Sequence, residues 1–152
     1  MQRTRLNKLT VSVLFVFLAY LLSMRIESLA GTRLNLCLAA LIALSFFLEW
    51  HEALLASAFA AFLINWSPAL TPEMVFYVVF PIVIVAARRA FHWTRPLHAA
   101  CAAFLTLLFM DALANYSFLA AYPSFALADA LAGALMAGLV FRGMDYCTNR
   151  HE

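Results

Sequence analysis

Charge is scarce in this chain. Of its 152 residues, 12% are charged and 66% are hydrophobic, whereas a soluble domain carries about 25% charged residues and under half apolar. A water-soluble fold of this size could bury a core, but it could not cover the apolar surface left over. The net charge is only +2, which provides no whole-chain attraction to nucleic acid. Cysteine is scarce as well: Cys37, Cys101 and Cys147 are odd in number, widely separated and form no CxxC. Neither a disulfide framework nor a metal site follows. There is no HExxH, no GxSxG, no P-loop and no glycine-rich nucleotide loop, so no catalytic residue, no cofactor and no enzymatic activity is expected.

What fills the chain is a series of apolar runs with short polar breaks, and no low-complexity tract. Lipid is the solvent this pattern fits. The expectation is one all-α domain over residues 1–152, a polytopic integral membrane bundle. Its six transmembrane helices are predicted at about 8–24, 34–50, 53–66, 73–88, 97–115 and 124–142. The first run follows Arg3, Arg5 and Lys8. With Ser28-Leu29-Ala30 before Gly31 it also has the layout of a cleaved secretory signal; an uncleaved first span is preferred because further spans follow. Only Glu49-Trp50-His51-Glu52 separates the second run from the third, which requires an antiparallel helical hairpin. In the turn before the fourth run, Thr71 suits a cap, Pro72 the first helical position and Glu73 the positive helix end. Pro81 within the fourth run is tolerable in a membrane span. Ser124 is the expected cap of the last run, and Arg142-Gly143 its expected stop.

Where the few cations sit assigns the sides. The segment 88–98, with Arg88, Arg89 and Arg95, is the one strongly basic interior stretch, and it anchors the topology. With the N-terminus cytoplasmic, inner segments hold eight of the ten basic residues, leaving Arg25 and Arg33 outside. The positive-inside rule then puts both termini in the cytoplasm and the protein in a cell membrane. Trp50, Trp93 and Tyr146 fall at the inner interface, and Trp66, Tyr116 and Tyr122 at the outer one, as aromatic belts require.

Two features point to interactions. The last helix carries a small residue at every fourth position, Ala126, Ala130, Ala134 and Gly138, with Gly133 and Ala137 alongside, and the third carries Ala53, Ser57 and Ala61, running on to Asn65. Such stripes let helix backbones approach closely, either within the chain or against a partner's membrane helix. Asp111, Asn115, Asp129 and Asn65 are polar groups at membrane depth, all toward the outer leaflet. Three uses are open to them: a structural polar cluster, a site for a small ligand or partner, or ion coupling. A pairing of Asp111 and Asp129 as acid and base is the enzymatic version. His98 and Cys101, three apart on a helix, make only half of a metal site.

The hairpin LNLCLAALIALSFFLEWHEALLASAFAAFLINWSP and the following TPEMVFYVVFPIVIVAARRAFHW together resemble the bacterial rod-shape-determining MreD-like membrane proteins. The resemblance covers roughly residues 34–115 and rests on hydrophobic texture and element order. The Gly-x-x-x-Asp expected late in the third helix of that family is not matched; Asn65 alone stands in that neighbourhood. What the resemblance implies is a non-enzymatic subunit in the bacterial inner membrane, a scaffold packed against other integral membrane proteins of the cell-wall elongation machinery. That group is similar in fold to the substrate-binding components of energy-coupling-factor vitamin transporters, which implies the alternative of a small-molecule-binding membrane component.

Overall fold

A nine-residue helix that touches almost nothing but other helices stands at the centre of the bundle. This is α2 (Leu36–Leu44), whose every residue is buried. The computed structural model describes residues 2–30, 34–64, 72–90, 96–114 and 116–149. Around α2 stand α1 (Gln2–Ala30), α3 (Trp50–Ile64), α4 (Pro72–Ala90), α5 (Pro96–Ala114) and α7 (Pro123–Asn149), with the short α6 (Tyr116–Ala121) joining the last two. No strand occurs among the described residues. Three segments are long and apolar enough to cross a membrane: Lys8–Leu29, Pro96–Leu113 and Pro123–Thr148. Trp50–Ile64 and Met74–Arg88 are shorter apolar helices.

Several element bounds differ from the sequence expectation. The run at 34–50 is not one continuous helix: its helix ends at Leu44 although no proline or glycine interrupts it. Ser45 Oγ donates back to Leu41 O at 2.7 Å, and Phe46 N and Phe47 N donate to Ala43 O and Leu44 O in a tightened turn. Phe46 and Phe47 then pack on Phe141 of α7, with ring centroids 5.9 and 4.7 Å away. Helix α3 starts at Trp50 rather than Ala53 because Glu52 Oε2 accepts the Glu49 N–H at 2.8 Å, half of a capping box. Glu52 is buried there, its charge beside a positive helix end. Glu52→Ala is expected to lower stability by about 1 kcal/mol, and Glu52→Gln, which keeps an acceptor, by less. Thermal melts of the two variants in the same detergent check the order.

The last helix corrects two further points. Tyr122, not Ser124, precedes its first turn, with Phe125 N and Ala126 N donating to Tyr122 O and Pro123 in the first helical position. Nor does it stop at Arg142-Gly143: it runs on to Asn149, because Gly143 lies against the Phe15 ring of α1 within the helix. The expected small-residue stripe is also rotated. Ala126 and Ala130 are buried, but the seam continues through Gly133 and Ala137, while Ala134 and Gly138 are only half-buried. A four-residue step advances about 40° beyond a full turn, so three such steps carry Gly138 off the buried face. On α3 the same drift leaves Ala53 and Ser57 buried and Ala61 half-buried, with Ala56 and Ala60 completing the inner face.

Outward, each long helix shows an uncharged apolar face. It is Leu97, Leu105, Phe109 and Leu113 on α5, Val75, Val79 and Val83 on α4, and Leu127, Leu131, Leu135 and Leu139 on α7. At about 40° per step these four-residue series drift across the outward side of each helix. Inside, α7 packs most extensively on α5 and next on α2. Helix α1 is part of this core, not an appendage: Ser12, Val16 and Ala19 are fully buried, and the Cys37 thiol lies 3.9 Å from Val16 O.

Candidate functional site

The buried acidic groups and the inward-turned Arg88 gather at the two ends of α2. At its N-terminal end, Asp129 from the second turn of α7 reaches Asn35, the residue that precedes the helix. Asn35 N–H donates to one carboxylate oxygen at 3.0 Å, and Asn35 Nδ2 donates to the other at 3.2 Å. Both oxygens of Asp129 are thus in use, and the residue is only 6% exposed. Asn35 itself makes no side-chain cap to its own helix; its amide is turned to α7 instead. A carboxylate beside the start of a helix is also favoured by the helix dipole.

Asp111 of α5 is level with this pair. A Cβ built on Gly133 would fall 2.1 Å from Leu107 Cδ1, so Leu107 and Gly133 mark where α5 crosses α7. The six residues of α6, about 9 Å long, could not join α5 to α7 if the two were parallel, since their ends would stand about 25 Å apart. The helices are therefore antiparallel. One turn from the crossing, in the same direction in space, come Asp111 on α5 and Asp129 on α7. Asp111 is 5% exposed and is engaged in a polar or electrostatic interaction of its own. Asn65 and Asn115, the other two members expected of this cluster, lie outside the described residues.

At the opposite end of α2, Arg88 of α4 donates from Nη1 to Ser45 O at 3.1 Å. The basic side chain expected to mark a loop is therefore folded inward onto the end of the central helix, where a cation complements the negative end of the dipole. Glu49 and Glu52 belong to the same turn. His51 Nδ1 is 3.8 Å from Glu49 with both side chains about half exposed, at 45% and 46%, a pair of little energetic weight. Arg95 and the side chain of Arg89 lie outside the described residues.

Asn35 and the inward use of Arg88 were not foreseen. The first had a signal, an Asn immediately before an apolar run, which is a favoured helix-start residue. The second had none, since it depends on which helix ends at Ser45. The remaining polar candidate, Ser57 on α3, is completely buried, and its Oγ has no hydrogen-bond partner among the described residues. Among the described residues no three of His, Cys, Asp and Glu come together as metal ligands would, so His98 and Cys101 gain no third donor there. Chemically, the arrangement fixes helix ends. No family model, curated protein or solved structure matches the chain.

Proposed function

We propose that this protein is a non-enzymatic, multi-pass subunit of the bacterial inner membrane, a scaffold that packs against other integral membrane proteins of the cell-wall elongation machinery, as its resemblance to MreD-like proteins implies. The observation that carries the reading is where polarity is used. Each long helix turns an apolar face outward, while Asp129, Arg88 and Glu52 are bonded to the ends of helices. Such a molecule is built to hold a shape in lipid. In this reading the chain crosses six times with both termini cytoplasmic, α2 and its flanking segments making one crossing. The burial of Ser12, Val16 and Ala19 against the core supports retention of α1 as the first span.

Crosslinking in native membranes tests the reading. Capture of cell-wall synthesis proteins by a photoreactive residue at Leu131 or Leu135 is the expected result; capture of none of them rejects the scaffold. A periplasmic reporter fused after Thr94 is expected to be inactive, and activity there overturns the six-crossing topology. The level placement of Asp111 and Asp129 at one end of the bundle favours a second reading, a small-molecule-binding membrane component opening outward. A panel of water-soluble vitamins would then raise the melting temperature of the purified protein, and Asp111→Ala would abolish the rise. If no vitamin shifts the melt, this second reading falls.

A further inference from the structure

Helix α2 is about 14 Å long by its nine residues, less than half of the roughly 30 Å of hydrocarbon in a bilayer. Its place can be gauged from α7, which runs alongside it in the same direction. Asn35 bonds Asp129, Ala39 lies beside Gly133, and Phe46 and Phe47 meet Phe141. On α7 the exposed aromatic residues Phe125 and Tyr146 bracket the leucine face. They are about 32 Å apart along the helix, which matches the hydrocarbon thickness. Asn35 then lies about 6 Å inside one boundary, and Ser45, level with residue 139, about 10 Å inside the other. Both ends of α2 fall where water cannot satisfy free backbone groups, and groups left unsatisfied there cost several kcal/mol each.

Resting on the membrane reading above, we infer that Asp129 and Arg88 form a two-ended clamp that holds a half-length helix within the hydrocarbon. The charges match the helix polarity, anion at the N-terminal end and cation at the C-terminal end. They arrive from different helices, α7 and α4, so the clamp also ties those two helices together through α2. The clamp makes Asp129 and Arg88 positioning residues for the core.

The native thiol of Cys37, buried two residues beyond Asn35, reports on the clamp. In a Cys101→Ala/Cys147→Ala background, maleimide modification of Cys37 is followed in membrane vesicles. Asp129→Ala and Arg88→Ala are each expected to speed labelling at least about tenfold, the effect of losing a charged hydrogen bond. Asp129→Asn presents an amide donor to the Asn35 amide and is expected to speed labelling too. The exchange Asn35→Asp with Asp129→Asn restores a donor facing an acceptor, and protection is expected to return. Labelling that stays slow in Asp129→Ala, or that stays fast in the exchange variant, overturns the clamp, as does an Arg88→Ala variant as protected as the parent. Release of the parent protein from membranes by alkaline carbonate would overturn the membrane reading as well, and so separates the two failures.

Discussion

Leu135→Arg on α7 is expected to cut the amount of membrane-inserted, folded protein severely. Leu135 is 72% exposed, and in an α7 that spans a membrane its place midway between Phe125 and Tyr146 would face the centre of the bilayer. Replacing a leucine there by arginine costs about 3 kcal/mol on insertion scales, comparable to a large part of a domain's net stability. In water the same substitution at so exposed a position would be neutral within about 0.5 kcal/mol and would improve solubility. The two solvents therefore predict opposite results from one substitution. Detergent extraction followed by size-exclusion chromatography of a fluorescent fusion reads the outcome, with Leu135→Ala as a control for lost packing. A Leu135→Arg protein that accumulates at normal levels and melts like the parent would sink the assignment of α7 as a span.

The second large effect concerns two glycines one turn and a residue apart on the same helix. Gly133→Val is expected to lower stability by about 3 kcal/mol or more, whereas Gly138→Val changes it by less than about 1 kcal/mol. The local helix cost of valine is the same at both sites, so the difference isolates packing. A Cβ at Gly133 would lie 2.1 Å from Leu107 Cδ1 and 3.4 Å from Ala39 Cβ, whereas a Cβ at Gly138 meets nothing within 4 Å. Leu107 is fully buried, and in a close-packed interior its Cδ1 cannot move without displacing neighbours. Gly133 is therefore a point of close approach of α7 to both α5 and α2, and filling it forces the seam apart. Equal melting temperatures for the two variants would mean that the seam follows the four-residue stripe through Gly138 after all. Ala134→Val provides a third point, expected to fall with Gly138 because it too is off the buried face.

The same comparison shows how far the residues alone reach. Helix, apolar surface and the position of several helix starts are local properties. Pro72 opens α4 as its fixed φ and missing donor dictate, and Pro81 is carried inside that helix. The candidate carboxylates were legible because a charge among apolar residues is conspicuous; Asp111 and Asp129 are indeed buried. Their partners were not legible. Asn35 lies 94 positions from Asp129, and nothing in the local sequence of either residue names the other. Arg88 was visible as a cation next to a span, but Ser45 O is available to it only because α2 stops there.

By itself, then, the sequence determined that this protein is helical, that its surface is apolar, and where its cations concentrate. Composition and periodicity act over a few residues and need no tertiary contact to be expressed. Only the tertiary structure decided the length of α2, the rotation of the α7 seam from Gly138 to Gly133, and the use of Asp129 and Arg88 at the two ends of one helix. Each of these is a contest between nearly equal local options. A run such as Leu41–Leu48 can continue as helix or turn at small cost, and the contacts of Phe46 and Phe47 with Phe141 and of Arg88 with Ser45 decide between them. Such contacts join residues far apart in the chain, and they come into being only when the helices have packed.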